Sequence, residues 1–207
     1  MIRMKNIYEN KYKNDGYYWG KTPSKMCYKI LQLRPPDRSL KLLDIGCGEC
    51  RNSVFFARNG YNVTSFDISS KGIEKAKKMA SEANVKIKLF KADVNTFRLE
   101  CEFDILFSTG VLHYIPKELR DEIFNNYKTY TRNNGLHAFS VFVKKPFIEK
   151  APDSESKAQI WISGELFTFY HDWKIEYCDE EIFDCESSGI PHKHAINRII
   201  ARKVAFN

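Results

Sequence analysis

The chain has 207 residues, of which 43% are hydrophobic and 29% charged, and its formal net charge is +7. This length predicts one domain, residues 1–207, with a substantial core. No apolar run approaches the about 18 residues of a membrane span, and residues 1–13 are too polar for a signal peptide, so we expect a cytoplasmic protein without a membrane partner. Much of the positive charge falls on lysines around one predicted helix, which favours a solvated surface over a nucleic-acid site.

Apolar periodicity, capping residues and prolines predict helices that alternate with strands. The predicted helices cover residues 23–33, 51–59, a stretch beginning at residues 69–70, 116–131 and 164–170. The predicted strands cover residues 41–45, 62–67, 86–90, 103–107, 136–143, 174–183 and 195–204. The alternation indicates an α/β fold with a parallel sheet and right-handed crossovers, and the last two strands, with no helix between them, indicate a hairpin.

A glycine turn, residues 44–50, joins the first predicted strand to a helix. Glycine at 46 and 48 allows a ligand to lie against the main chain. The second strand ends in Asp67, nineteen residues beyond Gly48, where nucleotide-binding α/β sheets place an acid that accepts hydrogen bonds from a ribose. Arg51 stands where a dinucleotide fingerprint has its third glycine, and no P-loop lysine follows. Turn and acid therefore predict a nucleoside-bearing cofactor other than a dinucleotide.

The six cysteines raise the question of a metal or redox site. Cys47 and Cys50 have C-x-x-C spacing, but no second pair follows and both fall within the glycine turn. We therefore predict buried thiols and no metal site.

The glycine turn with its distant acid resembles motif I of the class I S-adenosylmethionine-dependent methyltransferases, which usually have a third small residue where Cys50 stands. More narrowly, the chain resembles the tellurite-resistance (TehB-like) branch of that class. The resemblance implies a Rossmann-like, seven-stranded, mostly parallel sheet with helices on both faces and a C-terminal antiparallel hairpin. It rests on residues 43–53, 59–67, 164–166 and 200–203, with Tyr170 and Trp173.

This resemblance implies an S-adenosylmethionine site at the carboxyl ends of the first four strands, with S-adenosylhomocysteine as product. Asp67 would bind the ribose and Asp93 would lie near the adenine, unless Asp93 instead forms a turn with Asn95. Asp44 is expected to brace the glycine loop through backbone amides. The predicted cofactor-binding residues are Trp19, Asp44, Gly46, Cys47, Gly48, Arg51, Asn52, Asp67, Ile68, Ala92, Asp93, Val94, Ser108, Thr109 and Gly110.

Two segments are expected to cover this site. Residues 1–22 resemble an aromatic N-terminal lid, in which Trp19 either packs over the cofactor or is an ordinary surface or core tryptophan. Residues 144–163 break the alternation with prolines and charges, which predicts an excursion over the site.

The acceptor side is predicted to involve His113, Tyr114, His192, His194 and Arg198. A histidine titrating near neutral pH could serve as base for a hydroxyl or amine acceptor, and Arg198 would suit an anionic one. Because one residue separates His192 from His194, we expect them on opposite faces, with at most one facing the pocket. The His-Arg-Thr-Asp-like segment of the tellurite enzymes is not found here, so the acceptor is left open.

The predicted function is methyl transfer from S-adenosylmethionine to a small molecule, such as a soft anion, thiol, amine or hydroxyl, by a monomer or dimer. A nucleic-acid or protein methyltransferase is the alternative. The Asn/Asp-Pro-Pro-aromatic motif of amino-methylating nucleic-acid enzymes is missing after strand four, where residues 108–111 read Ser-Thr-Gly-Val. A non-catalytic protein that binds the same cofactor is the third hypothesis.

Overall fold

In a computed structural model, the chain is described over residues 8–37, 39–149, 160–186 and 189–205. The helices are α1 (Lys25–Leu33), α2 (Arg51–Arg58), α3 (Ser70–Glu82), α4 (Lys117–Thr129) and the short α5 (Glu165–Thr168). The strands are β1 (Lys41–Ile45), β2 (Asn62–Asp67), β3 (Lys88–Lys91), β4 (Phe103–Thr109), β5 (Thr131–Val143), β6 (Lys174–Cys185) and β7 (His192–Arg202). A turn of 3₁₀-helix, Leu112–Tyr114, follows β4.

One sheet contains all seven strands, in the order β3-β2-β1-β4-β5-β7-β6. The first five strands of the chain are parallel, and β7 is antiparallel to both of its neighbours. This confirms the predicted mostly parallel sheet with a C-terminal hairpin. The order reverses between β1 and β4, so the connections diverge there and leave a crevice at the carboxyl ends of these strands.

Helices cover both faces of the sheet, as predicted, because neighbouring residues of the central strands face opposite ways. Leu42 and Ile105 pack with α1 and α2 on one face. Leu43 and Leu106 pack with α4 and α5 on the other. A strand that is buried on both faces has a nearly continuous apolar sequence, which is the pattern of β4.

The fifth strand begins earlier than predicted. Phe103 pairs with Thr131 and Ile105 with Leu136, so the intervening residues form a bulge within the strand instead of a turn before it. A Cβ on Gly135 would lie 2.7 Å from the carbonyl oxygen of Arg132, which explains the glycine at this bend. The two strands of the final hairpin also extend further toward their connecting turn than predicted, since β6 ends at Cys185 and β7 starts at His192.

The two predicted covering segments are described only in part. Residues 1–7 of the N-terminal lid and residues 150–159 of the excursion lie outside the described residues. Residues 8–11 form one helical turn, and the ends of the excursion meet at a bridge between Lys144 and Ile162. Within the described parts of the chain, no helix has the length and apolar character needed to cross a membrane.

The returning end of the excursion is fixed to α4 by a buried arginine. Arg120, 2% exposed, forms an ion pair with Glu165 and lies over the ring of Trp161 at 3.9 Å. Its guanidinium also donates to the carbonyl oxygens of Ile115 and Ile160 at 3.2 and 3.1 Å. These partners compensate the buried charge of Arg120, and they hold residues 160–165 against the core.

We expect Arg120→Ala to lower the free energy of unfolding by about 3–5 kcal/mol, because it leaves the partly buried Glu165 carboxylate without its cation. Glu122 is on the same helix and forms an exposed ion pair with Arg98. Glu122→Ala should therefore lower the free energy of unfolding by less than about 1 kcal/mol. Urea denaturation of both variants measures the difference. Equal losses would contradict the anchoring role of Arg120.

Candidate cofactor and acceptor site

The glycine turn after β1 has the left-handed backbone that its sequence predicts. Gly46 and Gly48 have φ of 71° and 54°, and a Cβ on Gly46 would lie 2.3 Å from Cγ2 of Val111. Only glycine fits there, so the loop after β4 packs directly on the turn. Cys50, fully buried, is also left-handed with φ of 73°. Burial raises the pKa of the Cys47 thiol, which keeps it protonated.

Asp67 lies beside this turn at the end of β2. Its carboxylate accepts the backbone amides of Gly48 and Ser69, each at 2.9 Å. Burial raises the pKa of Asp67, and these amide hydrogen bonds oppose the rise. An ionised carboxylate has about four lone-pair positions, so capacity for two further donors remains. That is what the two hydroxyls of a ribose require.

Asp44 braces helix α2 instead of the amides of the glycine loop. Its carboxylate accepts the Ser53 hydroxyl at 2.5 Å, and the Ser53 oxygen accepts the hydroxyl of Ser65 at 3.0 Å. Burial is the main cause that raises the pKa of Asp44 to about 7. We expected Asp44 to accept amides of the glycine loop. The Gly48 amide of that loop donates to Asp67 instead.

Trp19 lies against the glycine turn together with a tyrosine that sequence reasoning missed. The indole N–H of Trp19 donates to the Tyr12 hydroxyl at 3.0 Å. That hydroxyl is 2.7 Å from where a Cβ of Gly48 would be, and Cδ1 of Trp19 is 3.7 Å from it. Arg51 donates to the Trp19 carbonyl at 2.8 Å, and Glu49 accepts the Trp19 amide at 3.2 Å. The N-terminal lid therefore covers the turn in this structure.

Glu9 attaches the lid to the start of helix α3. Its carboxylate accepts the amides of Ser70 and Lys71 at 2.6 and 3.0 Å. These amides have no partner within the helix, and the helix terminus carries partial positive charge, so a carboxylate is favoured there. The aromatic spacing of Tyr8 and Tyr12 could have indicated a helical turn in this otherwise polar segment.

A second attachment runs through Lys75, also on α3. Its ammonium group donates to the carbonyl oxygens of Asn14 and Gly16 at 2.6 and 2.5 Å. It also forms an ion pair at 3.2 Å with Glu49, a buried carboxylate of the glycine turn. Lid, turn and helix are thus joined by one lysine. Neither Lys75 nor Glu49 was predicted as a site residue.

The predicted residues at the end of β4 and just after it support the glycine turn from behind. The Ser108 hydroxyl donates to the Ile45 carbonyl at 2.9 Å, and the Asn52 amide donates to the Thr109 hydroxyl at 3.4 Å. Gly110 has φ of 70°, again a conformation that favours glycine. The loop after β4 therefore forms one wall of the crevice with the start of α2.

Residues 92–94, which we predicted to lie near the adenine, follow the end of β3. The Ala92 amide donates to the Asp67 carbonyl oxygen at 3.1 Å, which brings residues 92–94 beside the acid of β2. Asp93 accepts the Asn95 amide at 2.9 Å, so the turn considered as the alternative to adenine contact is formed. Ile68 is half-buried and Val94 is buried, and both lie at this edge of the sheet.

His113 is packed among aromatic rings on the acceptor side. Its ring centroid is 4.1 Å from that of Tyr114 and 5.1 Å from that of Phe142. Burial, with a smaller contribution from the charge of His194, lowers the pKa of His113 to about 3. A base works best when its pKa lies near the operating pH. The structure therefore contradicts our prediction that His113 can titrate near neutral pH.

His192 and His194 lie side by side, and our prediction that they face opposite ways was wrong. Their Nε2 atoms are 2.9 Å apart. Residues two apart in a strand share a face, because side chains alternate with a period of two. Cys185, opposite His192 in the hairpin register, completes a group whose ligand atoms all lie within 4.8 Å of one another.

Arg198 does not join the other predicted acceptor residues. Its guanidinium forms ion pairs with Asp179, at 2.9 Å, and Glu181, both on β6. It is four residues beyond His194, or about 13 Å along an extended strand. Because two carboxylates already neutralise it, the structure contradicts its assignment to an anion-binding acceptor pocket.

The strand order, the left-handed glycine turn and the acid that ends β2 together define a protein with the class I methyltransferase fold. The family model described as "Tellurite resistance protein TehB" matches residues 1–199. The chain belongs to this TehB family.

A curated relative from Haemophilus influenzae, named "Probable S-adenosyl-L-methionine-dependent methyltransferase TehB", is 27% identical over 166 residues, which are 79% of this chain and 57% of the relative. A ubiquinone biosynthesis O-methyltransferase of Rickettsia akari is 30% identical over 101 residues, 49% of this chain and 39% of that protein. The chain thus spans less than two thirds of either relative. The crystal structure of TehB from Haemophilus influenzae has a TM-score of 0.77 at 22% identity, covering 96% of this chain and 66% of that one.

The lowered pKa of His113 predicts a pH dependence of stability. The unfolded chain takes up a proton near pH 6.5 and the folded chain only near pH 3, so stability is lost as the pH falls below about 6.5. Between pH 7 and pH 5, the free energy of unfolding of the wild type should fall by roughly 2 kcal/mol relative to His113→Asn.

Urea denaturation at several pH values measures this difference. Phe142→Leu disturbs the same packing without removing a titrating group, so its difference from the wild type should not change with pH. If the difference in free energy of unfolding between His113→Asn and the wild type also stayed constant with pH, it would contradict a neutral, buried imidazole.

Proposed function

We propose that the chain transfers a methyl group from S-adenosylmethionine to a small-molecule acceptor. The observation that carries this proposal is the Asp67 carboxylate, held 2.9 Å from the Gly48 amide with acceptor capacity to spare. In a member of the TehB family, this arrangement suits the ribose of an adenosyl group, with the rest of the cofactor along the glycine turn. When bound, the cofactor supplies a methyl group on a positively charged sulfur.

The task of the protein is to orient the acceptor and to keep water away. Holding the reactants in line can account for roughly 7–11 kcal/mol of barrier reduction in favourable systems. The N-terminal lid is suited to both tasks. Trp19 and Tyr12 lie over the glycine turn, and the Tyr8 hydroxyl is 2.8 Å from the Tyr114 hydroxyl on the acceptor side. A site covered from both sides favours a small acceptor over a macromolecule.

Of the three predicted bases, His192 and His194 remain candidates, because the pKa of His113 is lowered too far for a base at neutral pH. His194 is half-buried, and its ring is 5.0 Å from Phe142, which also contacts His113 beside the loop after β4. Thiolates and other soft anions need little proton removal, whereas hydroxyl and amine acceptors need a base. The names of the relatives include an O-methyltransferase and a coclaurine N-methyltransferase, so the fold accommodates different acceptors.

The lysines of α3 provide little support for a nucleic-acid substrate. Lys71 is paired with Glu74 and Lys75 with Glu49, so part of the positive charge of this helix is neutralised locally. A small-molecule partner, a cytoplasmic location and a monomeric or dimeric state belong to the same proposal.

We expect Asp67→Asn to weaken binding of both S-adenosylmethionine and S-adenosylhomocysteine by roughly 10- to 100-fold, since hydrogen bonds to a charged group contribute about 1.5–3 kcal/mol. Asp93→Asn is the matched control and should change affinity less, because Asp93 closes a local turn with Asn95. Calorimetric titration measures both, and thermal unfolding of each variant checks that it remains folded. Equal affinity in wild type and Asp67→Asn would remove the proposed donor site.

Turnover tests the acceptor side. With an acceptor found by screening thiols, amines and hydroxyls, His194→Ala should lower kcat/KM by roughly 10²- to 10⁴-fold if that acceptor must lose a proton. Arg198→Ala should stay within about threefold of wild type, because its partners are Asp179 and Glu181. Release of S-adenosylhomocysteine is the readout. Cofactor binding without turnover on any acceptor would favour the non-catalytic hypothesis instead.

A further inference from the structure

Cys185, His192 and His194 form a group of potential metal ligands at the turn end of the β6–β7 hairpin. All three side chains are half-buried, and their ligand atoms lie within 4.8 Å of one another. The antiparallel register places Cys185 opposite His192 and Phe183 opposite His194. Since His192 and His194 share a face of β7, the three side chains converge by strand geometry alone. The group uses residues from two strands, so it depends on the folded hairpin.

The hydrogen bond at Nδ1 of His192 orients the ring as metal binding requires. Its Nδ1 is 2.7 Å from the carbonyl oxygen of Ile190. A carbonyl oxygen can only accept a hydrogen bond, so Nδ1 carries a proton, and the neutral ring presents its lone pair at Nε2. Metal-binding histidines are oriented in this same way, by donating the other ring N–H to a carbonyl or carboxylate.

The two imidazoles are already close enough to share a cation. The Nε2 atoms of His192 and His194 are 2.9 Å apart, so one proton lies between them. The ring of His194 is held between those of Phe142 and Phe183, with centroids at 5.0 and 5.7 Å. A metal ion between these nitrogens would take both Nε2 lone pairs once the shared proton has moved to Nδ1 of His194, and the Cys185 thiol would release its proton to solvent to become the third ligand.

We propose that Cys185, His192 and His194 bind one zinc ion. Two imidazoles and a thiolate are the nitrogen and sulfur ligands that zinc prefers, and three protein ligands leave the fourth tetrahedral position open, as in catalytic sites. This revises our prediction of no metal site, which considered only Cys47 and Cys50. With zinc bound, His194 is a ligand instead of a free base. Zinc binding and S-adenosylmethionine binding are measured separately, so the zinc site and the proposed donor site can each fail alone.

The position of the group places the metal at the acceptor end of the crevice. The start of β7 pairs with the end of β5, Ala195 with Val143. Phe142, next along β5, contacts both His194 and His113, which follows β4. An open coordination position here could take an acceptor atom, and a zinc-bound thiol loses its proton.

The test is a calorimetric titration of untagged, reduced, full-length protein with zinc at about pH 7, after treatment with a chelator. Cys185→Ser and His194→Ala remove ligands, whereas Cys178→Ser removes an exposed cysteine of the same strand and serves as the control. We expect one zinc per chain in wild type and Cys178→Ser, with affinity at least about tenfold weaker in the two ligand variants. Circular dichroism checks that each variant is folded.

Cobalt(II) in place of zinc gives a second readout on the unmodified protein. A thiolate-to-cobalt charge-transfer band in wild type, lost in Cys185→Ser, would support the sulfur ligand. Failure of the wild type to bind zinc would overturn the proposal. So would unchanged affinity in Cys185→Ser, which would place the metal at other residues.

Discussion

The site depends on one hydrogen bond, from the amide of Gly48 to the carboxylate of Asp67. This bond joins the turn after β1 to the end of β2, so the two strands present their ligand-binding groups as one surface. It requires the left-handed backbone at Gly48 and a carboxylate that stays in place despite its burial. The second amide bond, from Ser69, fixes the other oxygen of Asp67. The carboxylate is thereby oriented by the main chain before any ligand arrives.

The fold could be predicted because each central strand carries its own burial pattern. Leu42 and Leu43, adjacent in sequence, pack in the clusters on opposite faces of the sheet, which a run of apolar residues bounded by turns already indicates. The start of β5 could not be predicted. Residues 133–135, Asn-Asn-Gly, read as a turn, yet they form a bulge in which Asn134 has φ of 63°. Local turn chemistry is the same in both cases, and only the pairing with β4 decides between them.

The proposed donor and acceptor halves of the site differ in how far sequence determines them. Gly46, Gly48 and Asp67 act through local backbone geometry, so their spacing was sufficient to place them at the turn and strand end. The acceptor side depends on contacts between distant segments. Cys185 reaches His192 only through the hairpin register, and Arg198 is neutralised by carboxylates of β6 that no local pattern connects to it.

The N-terminal lid determines how a ligand can reach the glycine turn. The Tyr12 hydroxyl occupies the space directly above Gly48, so it has to leave before a ligand can lie against that main chain. The lid is attached to α3 by polar contacts, the Glu9 carboxylate on two helix amides and Lys75 on two carbonyls. The buried ring of Tyr12 also packs against Gly72 of the same helix. Hydrogen bonds to a charged group contribute about 1.5–3 kcal/mol each, so these contacts and the packing of Tyr12 together set the free energy needed to move the lid. Since Lys75 also pairs with Glu49 of the turn, one cation holds both the lid and the turn, and the position of the lid is thereby coupled to the shape of the proposed donor site.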